Sequence, residues 1–138
     1  SYKKAGQSLP KIYFIDNGIL TSNKIDDKGR LLENLVFLEL IRRENDVSYF
    51  QTSQNEEVDF LIKKGKKVIR LIQVCYDIED TKTKDREIRA LIKAGRELRC
   101  KNMLVITEGK EGEEKLSWFG IKGKVRFMPL WKWLLLSQ

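Results

Sequence analysis

Three polar side chains interrupt apolar patterns in this sequence, and their types are those that hold divalent cations and move protons. On a helical wheel of residues 30–43, Glu33 falls among Val36, Phe37 and Leu40, its i+3, i+4 and i+7 neighbours. In the alternating run EVDFLI, Val58, Phe60 and Ile62 are expected to share one strand face, which turns Asp59 to the other face with Glu57 and Leu61. Gln73 sits in KVIRLIQVCY, a run apolar enough to be a strand covered on both sides, with Leu71 and Cys75 on its own face. Two carboxylates and an amide oxygen form an oxygen donor set suited to a hard cation. Each also has a plain structural account: a first-turn acid favoured by the helix dipole, a strand-edge acid in solvent, and a core glutamine with satisfied hydrogen bonds.

Composition narrows the chemistry further. Histidine is absent, which removes Ser-His-Asp and Cys-His catalysis and HExxH zinc chemistry. The two cysteines, Cys75 and Cys100, lie in or beside apolar segments without CxxC spacing, a usage that fits a reducing, cytoplasmic compartment. No GxxxxGK[ST] occurs, so these residues carry no ATP site of that kind. With 27 Lys+Arg against 20 Asp+Glu, the net charge of +7 favours polyanions, although solubility alone explains such a value equally well. No run approaches the roughly 18 apolar residues of a membrane helix, so no membrane partner is expected.

The elements that must position these residues can be read in order. At 138 residues and 41% hydrophobic, the chain is expected to form a single domain, residues 1–138. A short β-prone run, KIYFID, precedes Asn17-Gly18, and the first strong helix spans Arg30 to Arg43. Three strands follow as a meander: Val47–Thr52, Glu57–Lys63 and Lys67–Tyr76, with a tight hairpin at Lys64-Gly65-Lys66. A second helix, capped within Asp80–Thr83, runs to about Leu98 and leads into the strand Met103–Thr107 by a parallel crossover. Leu116–Phe119 and Lys124–Met128 read as short edge strands, and Pro129 opens a closing helix with Trp131, Leu134 and Leu135 toward the core. The polar beginning, SYKKAGQSLPK, has no Met and is expected of a piece of a longer chain.

The helical Glu of RLLENLVFLELIRR, the Asp of EVDFLI and the polar residue of LIQVCYD stand in the order of the three PD-(D/E)XK nuclease motifs. Together with KIYFIDNGIL and TKTKDREIRAL, this span resembles the C-terminal DUF4143 domain of bacterial and archaeal AAA-type ATPases. The resemblance implies an α/β, restriction-endonuclease-like core, a mixed central sheet flanked by helices in the order α-β-β-β-α-β. It also implies that Glu33, Asp59 and Gln73 line one catalytic pocket, holding Mg²⁺ or Mn²⁺ weakly with the Val74 carbonyl. The E-x-K motif is here Gln73-Val74-Cys75. One carboxylate has become a neutral amide and the lysine a thiol, so phosphodiester hydrolysis is expected to be slow or lost, with Lys63 the nearest sequence candidate for a replacement cation.

Two functions follow as expectations. The first is a nuclease-like domain that binds DNA, with Lys63, Lys64, Lys66 and Lys67 at the hairpin contacting phosphates. The seven cations of the second helix, spread over several of its faces, read instead as a solvated surface. The alternative is a non-catalytic regulatory or protein-interaction module reporting to an N-terminal ATPase domain of the same protein, with a partner surface near Trp131 and Trp133, only one of which a closing helix easily buries.

Overall fold

The structure is a computed structural model that describes residues 2–4, 28–118 and 120–136, so the KIYFID run lies outside the described residues. The elements are β1 (Tyr2–Lys4), α1 (Lys28–Arg42), β2 (Asp46–Gln51), β3 (Glu57–Lys64), β4 (Lys67–Cys75), α2 (Thr81–Leu98), β5 (Met103–Thr107), β6 (Gly112–Trp118), β7 (Ile121–Pro129) and α3 (Leu130–Leu135). The strands form one mixed sheet in the order β1-β2-β3-β4-β5-β7-β6. β1 to β4 are antiparallel neighbours, β4, β5 and β7 run parallel, and β6 returns antiparallel to β7.

Two apolar clusters sandwich the sheet. On one side Ile88, Leu91 and Ile92 of α2 pack over Val58, Leu61, Leu71, Val105 and Phe127. On the other, Val36 and Leu40 of α1 and Trp133 of α3 pack over Phe60, Ile72, Leu104 and Ile106. β4 lies between these layers at the centre of the sheet, as its nearly continuous apolar run implies, and its alternate residues feed opposite cores. α2 begins after Asp80, whose carbonyl accepts the first helical hydrogen bond from Lys84 N–H at 2.9 Å. It ends at Arg99, which takes the left-handed conformation at φ 55° and returns the chain toward β5.

Three expectations are corrected, and one strand is added. The strict alternation of β3 fails at Asp59: the register with β2 shifts between Ser48↔Leu61 and Phe50↔Val58, so β3 holds one extra residue there. This bulge sends Val58 to the α2 side with Leu61, while Phe60 and Ile62 face α1. β7 is not an edge strand but an interior one, hydrogen-bonded to both β5 and β6. In α3 the buried residue is Trp133, whereas Trp131 is 61% and Leu135 78% exposed. The reason is phase: in a six-residue helix entered directly from Pro129, Leu130 and Trp133 form the i, i+3 pair that meets the sheet. Finally, β1 joins the β2 edge of the sheet, a strand for which the polar first residues give no periodic signal.

Candidate functional site

The bulge in β3 coincides with the place where β3 and β4 part. Their ladder stops at Phe60↔Ile72, and beyond it side chains replace main-chain bonds. The Asp59 carboxylate Oδ2 accepts the Val74 N–H at 2.8 Å, and the Asp59 N–H donates to Gln73 Oε1 at 2.7 Å. Gln73 Nε2 donates to the Glu57 carbonyl at 2.9 Å and to the Glu87 carbonyl of α2 at 3.3 Å. The amide therefore ties β3, β4 and α2 together, and Gln73 is completely buried.

An open cleft of about 690 Å³ lies above this junction. Glu33 and Asp59 both line it, with Val74 and Cys75 in the wall. Helix α1 explains the approach of the two acids: its buried line is Leu32, Val36 and Leu40, and Glu33 and Phe37 flank that line one turn apart. Phe37 stacks on Phe60 with ring centroids 6.3 Å apart, which brings the flank of α1 against β3 and sets Glu33 toward the residue beside Phe60. Gln73 is not among the lining residues, because its carbonyl oxygen already accepts the Asp59 N–H. Among the described residues, no group of three or more His, Cys, Asp or Glu comes together in a geometry that holds a metal.

The cleft also contains cations for which no site role is expected from sequence: Lys28 and Arg30 from the start of α1 and Arg86 from α2. Lys28 Nζ lies 5.6 Å from the centroid of the Tyr76 ring, at the rim. Lys63 does not line the cleft; it pairs with Asp46 in the β2–β3 register, about 13 Å along β3 from Asp59. The only sequence signal for Lys28 and Arg30 was their position one turn before Glu33, and Arg86 was hidden among seven cations of one helix. The buried amide Asn34 in α1 was likewise missed, since a single Asn beside a Glu has no periodic signature.

Cys75 is a buried thiol. Burial pushes its pKa up to about 12, and Glu87, Asp77 and Asp59 add to the rise. It is neutral at pH 7 and supplies no positive charge. Because the folded value lies above the ordinary one, the contribution of this thiol to stability is fully present below about pH 9 and is lost as pH rises toward 12. We expect Cys75→Ala to flatten the alkaline limb of the stability curve in that window. We also expect Cys75 to resist alkylation at pH 8 in the native protein and to react on unfolding, which thiol titration with and without denaturant measures.

The hairpin lysines stand apart from the cleft. Lys64, Lys66 and Lys67 are exposed around Gly65, which turns with φ 64°, at the opposite end of β3 from Asp59. On α2, by contrast, several cations are engaged within the fold: Lys84 with Glu114 at 3.0 Å, and Arg89 and Lys93 with Glu56 at 2.6 and 3.2 Å. No helix among the described residues is long and apolar enough to cross a membrane.

This is a three-layered mixed α/β domain with a cleft at a splayed strand pair, lined by the carboxylates of Glu33, Asp59, Asp77 and Glu87. The chain belongs to the DUF4143 family, a domain of unknown function, which matches residues 28–132. It is 43% identical over 143 residues to the uncharacterized protein MJ1544 of Methanocaldococcus jannaschii, covering 98% of this chain but only 31% of that protein. Among solved structures, it is similar to a chain of the half-complex from the tetradecameric assembly of Thermococcus gammatolerans McrB AAA+ hexamers with bound McrC. That likeness has a TM-score of 0.51 and 14% identity, spans 75% of this chain and 28% of the other, and concerns the fold alone.

Proposed function

We propose that this is a nuclease-like, nucleic-acid-binding domain with a PD-(D/E)XK core, carried in the cytoplasm by an AAA-type ATPase, whose metal site is degenerate and whose phosphodiesterase activity is weak or lost. The observation that carries the reading is the convergence of Glu33 and Asp59 on one cleft where β3 and β4 separate. Family membership and the fold likeness to a chain of an AAA+ assembly support the ATPase context. Mg²⁺ commonly binds through one or two carboxylates, with water and substrate phosphates filling its other positions, and Glu33 and Asp59 fit that limited role. Such an ion would polarise a phosphoryl oxygen and acidify a bound water. The chain's own part is to hold the two carboxylates: Asp59 through its bond to Val74 N–H, and Glu33 through the packing of α1. Lys28, Arg30 and Arg86 are the cleft cations that would meet a scissile phosphate.

A second reading, a regulatory or protein-interaction module, draws support from two observations. The Gln73 amide is consumed by structural bonds, and the Cys75 thiol is uncharged. Trp131, 61% exposed, would then belong to the partner surface.

The test is nicking of supercoiled plasmid with Mg²⁺ or Mn²⁺, comparing the protein with its Glu33→Gln and Asp59→Asn variants. We expect trace metal-dependent nicking, on the order of 10² to 10⁴ below a nuclease with a complete site, and its loss in both variants. Robust cutting indifferent to both substitutions would remove the cleft from the reaction. No nicking together with no DNA binding would favour the regulatory module.

A further inference from the structure

On the α1 and α3 side of the sheet, a second cavity of about 180 Å³ lies between Arg43, Arg70, Arg126, Leu104, Met128 and Trp133. Among the described residues, no carboxylate lines it. Its three arginines are differently engaged. Arg43 lies 4.6 Å from the Trp133 ring centroid, donates to the Trp133 and Leu134 carbonyls at 3.0 and 3.3 Å, and pairs with Glu39. Arg126 makes one long contact, 3.6 Å, to the exposed Glu113. Arg70 is half-buried and makes no hydrogen bond or ion pair among the described residues. Burial, followed by the charges of Arg126 and Arg43, holds its guanidinium below the usual range. The indole Nε1 of Trp133 is also buried, with the residue only 2% exposed, and has no hydrogen-bond partner among the described residues.

Unpaired buried donors are rare, and a half-buried cation facing two others of like charge is costly unless an anion joins them. Here Arg70 and Trp133 both line the same cavity. We infer that this cavity binds a phosphate-type oxyanion through Arg70 and Arg126, with the Trp133 indole N–H as a neutral third donor. The donors come from β4, β7 and α3, three separate elements, which suits the spread oxygens of a tetrahedral phosphate better than the two coplanar oxygens of a carboxylate. The volume equals the liquid share of about six waters, enough for a phosphate group and little of what it is attached to. The site is separate from the carboxylate cleft: Arg70 precedes Val74 by about 13 Å along β4, and the inference holds whether or not the cleft cuts nucleic acid.

Orthophosphate and the terminal phosphate of a nucleic acid present the same chemistry. The test is calorimetric titration and thermal unfolding of the full chain with inorganic phosphate against chloride at matched ionic strength. Oligonucleotides ending in 5′-phosphate or 5′-hydroxyl are then compared. We expect saturable stabilisation by phosphate, at least a tenfold loss of affinity in Arg70→Ala, and a several-fold loss in Trp133→Phe, which keeps an aromatic ring in the core and removes the N–H together with the pyrrole part of the indole. Arg126→Gln supplies the same comparison should Arg70→Ala fold poorly. A tenfold preference for the phosphorylated oligonucleotide would assign the site to strand ends, and equal binding of both oligonucleotides beside saturable phosphate binding would assign it to the free anion. Equal responses to phosphate and chloride, or unchanged phosphate affinity in both Trp133→Phe and Arg126→Gln, would overturn the inference.

Discussion

Gln73→Leu is expected to cost the fold about 3–5 kcal/mol, measured as the shift in urea unfolding, although leucine suits a buried strand position. The loss arises from the groups that the amide leaves behind. The Asp59 N–H loses its acceptor and the Glu57 carbonyl loses its donor, both at a point where the β3–β4 ladder no longer supplies partners. Each part-buried backbone group orphaned in this way costs about 1–3 kcal/mol. Gln73→Glu, which would supply the acid of the proposed nuclease motif, is expected to destabilise at least as much. It removes both Nε2 donors and brings a carboxylate against the Glu57 and Glu87 carbonyls in a fully buried position. This single change is therefore expected not to confer metal-dependent cutting. A Gln73→Glu protein as stable as the original, and newly active on plasmid, would show that the amide is a lapsed ligand rather than a structural tie.

Replacing Lys63, Lys64, Lys66 and Lys67 together by glutamine is expected to lower the slope of log DNA affinity against log salt by about 3 to 4, and to weaken binding by on the order of a hundredfold at moderate salt. Lys64, Lys66 and Lys67 are exposed at the end of a hairpin whose core contacts lie further down the strands, so stability should change little. Fluorescence anisotropy with a labelled duplex across a salt series gives the slope directly. An unchanged slope would take the hairpin out of the nucleic-acid surface and direct attention to the cleft cations Lys28, Arg30 and Arg86, which lie on α1 and α2.

The candidate site was only partly legible before folding. Glu33 stood out because a carboxylate in an apolar helical arc is costly, and the structure sets it beside the buried line of α1, at the cleft. Asp59 stood out for a similar reason, but the alternation used to orient it breaks at that residue, because a bulge leaves no mark in hydrophobic periodicity. Gln73 was legible as a buried amide needing partners, while the choice between ligand and structural tie depended on strands that approach from elsewhere in the chain.

By itself, the sequence determined what local pattern can determine. The α1-β2-β3-β4-α2-β5 order, the doubly covered β4, the hairpin at Gly65 and the exclusion of histidine chemistry all follow from residue type and spacing. Tertiary structure decided what depends on contacts between distant residues. It placed β7 inside the sheet, buried Trp133 rather than Trp131, separated the hairpin lysines from the carboxylates, and gathered Arg43, Arg70 and Arg126 around one cavity. The physical reason is that helix and strand periodicity fixes which face of an element is apolar. Which charged groups share a cavity is set by strand order, bulges and crossover, none of which has a period to read.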